Sequence, residues 1–322
     1  MQYKKVGRTG LKVSPIGLGS MFFGTQVNET DATQIIDMSF DKGINLFDTA
    51  NVYTGGRSEE IVGKAIKNKR HSVILATKVR YKQGKGPNDS GLSREHIIRA
   101  IEESLRRLDT DYIDIYYVHA PDDNTPIEET LRAFDNLVQQ GKVRYLACSN
   151  FWAWQLVKAL WVSEQYNLAR FDCIQSPYNL ITRDIESELL PCCAKEGVGV
   201  TVYNPLAAGL LTGKYDPVKT PEFNSRLGLE PIDKQIYWSP ANFQAVSRLK
   251  QIADARGRSL ALFSLAWILN NPLISSTILG VSSTKQLEEN IGAMDLKLND
   301  EESKICDAVW QELKPPRFSY GR

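Results

Sequence analysis

At 322 residues with a net charge of +1, the chain can bury a substantial core and carries no global field to draw nucleic acid or an anionic membrane. No apolar stretch approaches a bilayer span, and Met1-Gln2-Tyr3-Lys4-Lys5 is followed by no apolar signal core,. The five cysteines, Cys148, Cys173, Cys192, Cys193 and Cys306, form no Cys-x-x-Cys; they read as free thiols of a cytoplasmic protein, and the sequons at Asn28 and Asn88 as chance matches.

Residues 3–6 and 11–14 flank Gly7-Arg8-Thr9-Gly10, a hairpin pattern expected to lid the bottom of a barrel. Residues 16–19 form the first core strand. Over 31–41, Ile35, Ile36, Ser39 and Phe40 share a helical face. Gly43 then turns the chain into the apolar run 44–47, a buried parallel strand that ends at Asp48. Ser58 is the expected N-cap of the next helix, with Glu59 and Glu60 in its first turn. Strand 73–77 leads to Lys78. Ser93 caps a helix carrying Ile97, Ile98, Ile101, Leu105 and Leu108 in period, and strand 113–118 leads to His119. Thr125-Pro126-Ile127-Glu128 has the form of a capping box with proline at the first helical position. Strand 143–148 precedes Ser149-Asn150 and a helix over 154–164. Strands 171–175 and 198–203 are separated by a helix near 185–195. Residues 206–240 lack a sustained period and read as a long inserted loop. Helices over 241–256 and 259–270, strand 276–279, a helix near 284–291 and a last helix from 300 to about 313 complete the chain. The tail 315–322 carries Phe318 and Tyr320, either a cover for the pocket or a frayed terminus, the latter being the ordinary case.

Strand and helix alternate eight times, with no linker. The expectation is one domain over residues 1–322, a (β/α)8 TIM barrel of the α/β class with an N-terminal β-hairpin, an insertion near 206–240 and an extra C-terminal helix. Parallel strands would bring Asp48, Lys78, His119 and Ser149-Asn150 to one mouth, where barrel chemistry takes place.

Several other chemistries fall away. Gly17-Leu18-Gly19 opens a Rossmann fingerprint, but the next glycine is Gly24 and the spacing fails. Gly209 to Gly213-Lys214-Tyr215 lacks a spacer and the hydroxyl of a P-loop. Tyr81 and Lys85 match a Tyr-x-x-x-Lys too short to mean much. The histidines His71, His96 and His119 are too scattered for a metal set.

Each of Asp48, Tyr53, Lys78 and His119 has an ordinary structural explanation; together they supply a known chemistry. Reduction of a carbonyl by hydride needs a proton at the oxygen as charge develops there. A phenol of reference pKa about 10 is a poor acid near neutrality, and a neighbouring ammonium favours the phenolate. Lys78 can serve Tyr53 in this way, with Asp48 holding Lys78 charged and His119 donating to the substrate oxygen.

The run Asp48-Thr-Ala-Asn-Val-Tyr53, with Lys78 and Tyr117-Val118-His119, resembles the catalytic positions of the aldo-keto reductase superfamily. The resemblance continues through Gly141-Lys142-Val143-Arg144, Cys148-Ser149-Asn150, Gln175-Ser176-Pro177-Tyr178-Asn179, Tyr203-Asn204-Pro205-Leu206 and Gln286-Leu287-Glu288-Glu289-Asn290. Gly209-Leu210-Leu211-Thr212-Gly213-Lys214-Tyr215 is similar to the bacterial, plant and fungal branch that includes potassium-channel β subunits. The resemblance implies an NAD(P)H-dependent carbonyl reductase, reversible as an alcohol dehydrogenase, acting on an aldehyde, ketone or keto-sugar. It also leaves open a nucleotide-binding regulatory subunit that docks on a partner protein, and a homo-oligomer. Under it, Ser149, Asn150 and Gln175 hold the carboxamide and Tyr203 stacks on the nicotinamide. Lys214, with Arg226, contacts the pyrophosphate, and Ser282, Gln286, Glu289 and Asn290 surround the adenosine end; Asn204, Pro205, Leu206, Gly209, Leu211 and Gly280 are further cofactor-binding candidates. Leu279 stands where many relatives have proline, and Lys285 is the cation for a 2′-phosphate, so NADPH is favoured with NADH open. Met21, Phe22, Tyr81, Trp152 and Trp238 are candidates for the substrate wall.

Overall fold

In a β-strand alternate side chains face one side, so a barrel strand splits its residues between an enclosed interior and the layer of helices outside. The computed structural model, which describes residues 1–223 and 225–314, has this arrangement. The tail 315–322, with Phe318 and Tyr320, lies outside the described residues.

Among the described residues there are ten strands: β1 (Lys4–Lys5), β2 (Lys12–Val13), β3 (Ile16–Gly19), β4 (Leu46–Asp48), β5 (Ile74–Val79), β6 (Ile113–Val118), β7 (Val143–Ser149), β8 (Phe171–Pro177), β9 (Gly199–Tyr203) and β10 (Ser276–Gly280). The first two pair antiparallel, and the other eight close a barrel in the order β10-β3-β4-β5-β6-β7-β8-β9. The expected (β/α)8 barrel and its hairpin are therefore present. β3 and β6 keep their expected bounds, and the other strands differ from theirs by one or two residues at one or both ends, several by continuing to the polar residue at the mouth.

The chain forms two compact units. The first comprises Met1–Ser176, Ile185–Tyr203 and Pro272–Glu288; the second comprises Pro177–Asp184, Asn204–Asn271 and the described residues from Glu289 onward. In the first unit, Val6 and Val13 of the hairpin pack with Leu46, Ala76, Ile115, Tyr117, Ala147, Cys173 and Ile278 in one buried cluster. The floor is tied down by Lys4 Nζ donating to the Ile274 carbonyl at 3.0 Å and Arg8 N to that of Gly197 at 2.8 Å. Gly7 is required there, because a Cβ would lie 2.4 Å from the Gly197 oxygen. The apparent fingerprint glycines also have a packing role: a Cβ on Gly17 or Gly19 would come within 2.9 or 2.8 Å of the Ile278 side chain.

In the second unit, helices Pro240–Ala255, Leu260–Leu269 and Asp300–Leu313 enclose a core with Leu180, Leu211, Leu249, Phe263 and Cys306. The stretch expected as loop, 206–240, holds three short helical segments, Ala207–Thr212, Arg226–Leu229 and Pro231–Tyr237. Their anchors, Leu211, Leu227 and Tyr237, are too widely spaced to show a sequence period,. Two expected caps also differ. Gly56, left-handed at φ 95°, caps the helix Arg57–Ile66, while Ser58 is buried inside it. Pro126 caps the helix Ile127–Gln139, because the Thr125 hydroxyl donates to Asp122 Oδ2 at 2.8 Å. Among the described residues no helix is long and apolar enough to cross a membrane.

Candidate active site

The period of two explains which residues meet at the mouth. Leu46, Ala76, Ala147, Cys173 and Ile278 face the interior. Two residues further along the same strands stand Asp48, Lys78, Ser149, Gln175 and Gly280, one layer higher on the same face. Asp48 lies opposite Ala76, Lys78 opposite Tyr117 and Ser149 opposite Gln175.

Lys78 is fully buried and Asp48 is 4% exposed. They form an ion pair, and Lys78 Nζ also donates to the Thr49 carbonyl at 2.8 Å and the Tyr53 hydroxyl at 3.4 Å. Burial by itself would pull the Lys78 pKa down; the negative charge of Asp48, with Tyr53 beside it, outweighs this and leaves the amine raised,. Gln175 Nε2 donates to the second Asp48 oxygen at 2.9 Å. A buried ion pair is costly unless its remaining lone pairs and protons are satisfied, and these bonds satisfy them.

Tyr53 is held by an unusual turn. After β4 the chain stays paired to β5 through Thr49 N to the Ala76 carbonyl (2.9 Å) and Asn51 N to that of Lys78 (3.3 Å). Thr54 then takes left-handed φ 48°, ψ 37°, a strained conformation for a β-branched residue. Its hydroxyl donates to the Phe23 carbonyl at 2.9 Å and accepts from Ser58 N at 2.9 Å. Below, Ser58 Oγ lies 2.8 Å from Ser20 Oγ and 3.0 Å from Thr49 Oγ1. Ser20 Oγ donates to the Asp48 carbonyl at 3.0 Å. Sequence reasoning missed this hydroxyl network; the only signal was a serine on an otherwise buried helical face.

The His119 ring meets Tyr53 edge-on at 5.8 Å. Burial, then the charges of Lys78 and Arg80, push its pKa well below the ordinary histidine value, so the imidazole is neutral near pH 7. Its Nδ1 is buried with no hydrogen-bond partner among the described residues. Beside it, Asn150 Nδ2 donates to the His119 carbonyl at 3.0 Å and to Ser149 Oγ at 3.1 Å. Asn150 itself is left-handed at φ 62°, and its Oδ1 accepts from the Tyr203 hydroxyl at 2.9 Å.

The structure therefore brings Asp48, Tyr53, Lys78, His119, Ser149, Asn150, Gln175 and Tyr203 into one connected set. Ser282 donates through N and Oγ to Gln286 Oε1 at 3.0 and 3.1 Å, beyond the end of β10, where Gly280 leaves open space for a Cβ. Tyr81 meets His119 at 4.8 Å, whereas Trp152 is 70% exposed. Met21 and Phe22 are half-buried in the turn after β3.

In the second unit Leu211 is fully enclosed in the core, and Trp238 packs edge-on to Tyr215 and Phe243 at 5.6 and 4.9 Å. These side chains pack rather than project. Asn204 caps its own turn, accepting from Ala208 N at 2.8 Å. Pro205 is buried, Leu206 and Gly209 are half-buried, Lys214 and Glu289 are exposed and Asn290 is half-buried. Arg226 pairs with Asp233 at 2.7 Å.

Two comparisons bear on this site. The chain is 40% identical over 303 residues, 92% of each protein, to one named "Probable voltage-gated potassium channel subunit beta" from Arabidopsis thaliana. It is 40% identical over 326 residues, 98% of each, to one of the same name from Oryza sativa subsp. japonica. The family model described as "Aldo/keto reductase family" matches residues 15–311, and with the barrel and relatives of this closeness the chain belongs to the aldo/keto reductase family.

Proposed function

We propose that the protein is an NAD(P)H-dependent carbonyl reductase acting on an aldehyde, ketone or keto-sugar, with Tyr53 as proton donor. The observation that carries this is the line Asp48, Lys78, Tyr53 at the barrel mouth, in which a buried ammonium touches both a carboxylate and a phenol. As negative charge builds on the substrate oxygen, Tyr53 gives up its proton, and the fixed charge of Lys78 stabilises the phenolate left behind. Neutral His119 orients the same oxygen through an N–H. Asp48 keeps Lys78 charged, and Gln175 with Thr49 fixes their geometry.

The residues at the mouth fit a nicotinamide. Gln175 uses its Nε2 on Asp48, leaving Oε1 to accept from a carboxamide, with Ser149 and Asn150 adjacent and the Tyr203 ring at the end of β9. When bound, NADPH supplies the hydride. The roles of Asn204, Pro205, Leu206, Gly209, Leu211, Lys214, Arg226, Glu289 and Asn290 rest on family resemblance alone. The five free cysteines suit the reducing cytoplasm assigned under this reading.

Tyr53→Phe tests it: turnover of a carbonyl panel should fall by about 10²-fold or more, with NADPH affinity nearly unchanged. Near-normal rates would remove Tyr53 as donor. A second reading, a nucleotide-binding regulatory subunit that docks on a partner, is favoured by the names of the relatives. Nicotinamide oxidation above background with any carbonyl of the panel separates the two; none at all favours the regulator.

A further inference from the structure

Two residues beyond Lys78 stands Arg80, a cation that the proton chemistry does not use. Its guanidinium lies 4.9 Å from the centroid of Tyr81, whose ring meets His119 at 4.8 Å. One aromatic ring thus separates this charge from the imidazole, and its field helps hold the His119 pKa down.

Arg80 is half-buried, and among the described residues the contact of its guanidinium is the Tyr81 ring, with no side-chain hydrogen bond or ion pair. The acid that feels its charge, Asp122, is engaged elsewhere: it accepts from Leu92 N and Thr125 Oγ1 at 2.8 Å each and from Asn124 N at 3.1 Å. The loop after β5 adds Lys82 and Lys85, both exposed. Its one acid, Asp89, is bound to Arg99 at 2.8 Å and to Gly86 N at 2.6 Å. The loop's three cations, Arg80, Lys82 and Lys85, outnumber its one acid, and the innermost is partly removed from water; Asp122 keeps its negative charge and offsets part of that of Arg80. A half-buried guanidinium without a partner is costly, and its planar fork matches a carboxylate.

We propose that Arg80 is the specificity residue for carbonyl substrates that carry a carboxylate away from the carbonyl group. This rests on the reductase reading. The loop attracts the anion, Arg80 pairs with it over Tyr81, and the carbonyl is left at Tyr53 and His119. With one half-buried cation present, a monoanion suits the site better than a dianionic phosphate.

The test compares 4-carboxybenzaldehyde with the methyl ester of the same acid, on wild type, Arg80→Gln and Arg80→Lys. Arg80→Gln should lose about 10- to 100-fold in kcat/KM for the acid, chiefly through KM, and less than about twofold for the ester. Arg80→Lys should restore part of the loss, and the wild-type preference for the acid should shrink with added salt. Equal losses on both aldehydes, or a wild-type preference for the ester, overturn the proposal. If wild type reduces neither aldehyde nor any other carbonyl of the panel, the reductase reading has failed. Calorimetric binding of 4-(hydroxymethyl)benzoate to the same proteins with NADPH then judges Arg80 without turnover. Binding lost in Arg80→Gln supports the assignment; equal binding, or none to wild type, overturns it.

Discussion

Replacing Asp48 by asparagine keeps the side chain's shape and removes its charge. Lys78 would then sit fully buried with neutral acceptors alone: the new amide oxygen, the Thr49 carbonyl at 2.8 Å and the Tyr53 hydroxyl at 3.4 Å. Removing one partner of a buried pair costs about 3–5 kcal/mol. The protein can limit that cost by discharging the amine. For a lysine of reference pKa about 10.4, discharge costs about 4.6 kcal/mol at pH 7 and about 1.9 kcal/mol at pH 9. The sign follows from proton linkage. In wild type the Lys78 pKa is raised, so its contribution is fully present below the unfolded value and is lost only as pH climbs through the folded one. In Asp48→Asn, burial, the largest influence, is opposed by Tyr53 alone and the folded pKa falls below the unfolded value, so the variant gains stability as pH rises. Urea unfolding at pH 7, 8 and 9 should show a deficit of about 3–5 kcal/mol at pH 7 that shrinks by roughly 1.4 kcal/mol per unit. A deficit below about 1 kcal/mol at pH 7, or one that does not change with pH, refutes the reasoning.

His119→Gln should flatten the acid limb of stability. The folded pKa of His119 is depressed by burial, then by Lys78 and Arg80, so below about pH 6.5 the unfolded chain binds the extra proton and stability falls with pH, by up to about 1.4 kcal/mol per unit. An unchanged slope between pH 5 and 6.5 would count against it. Gly63→Ala should destabilise by about 1–3 kcal/mol, because its Cβ would lie 2.5 Å from the Leu108 carbonyl oxygen; thermal unfolding checks this, and nucleotide affinity should stay unchanged. Lys285→Ala should weaken NADPH more than NADH in a titration; equal losses would mean that another group holds the 2′-phosphate.

The barrel was legible because its strands are short apolar runs, each followed by a polar residue that a core would not tolerate. Asp48 and Lys78 could be read this way, since a polar group one layer above Leu46 and Ala76 needs a neighbour to neutralise it; Gln175, one layer above Cys173, is named only through the family resemblance. The supports of these groups could not. Ser58 looks like a cap by local chemistry, yet it bonds Ser20, 38 positions away. Thr54 gives no sign in the sequence of its left-handed backbone. In the second unit, Leu211 belongs to the Gly209–Tyr215 motif but is held by packing, as is Trp238 further along the expected loop. The motif indicates kinship there, not what each side chain touches.

The hairpin floor has a consequence for how the chain is made. Lys4 reaches its acceptor on Ile274 across 270 positions, so during synthesis the hairpin waits for nearly the last strand. At about 5–20 residues per second that interval is roughly 13–50 s. Throughout it Val6 and Val13 lack the finished barrel they later plug. The nascent protein is most vulnerable to stray association in that window, and trigger factors or other holding chaperones that shield its first turns should raise the yield of closed barrels.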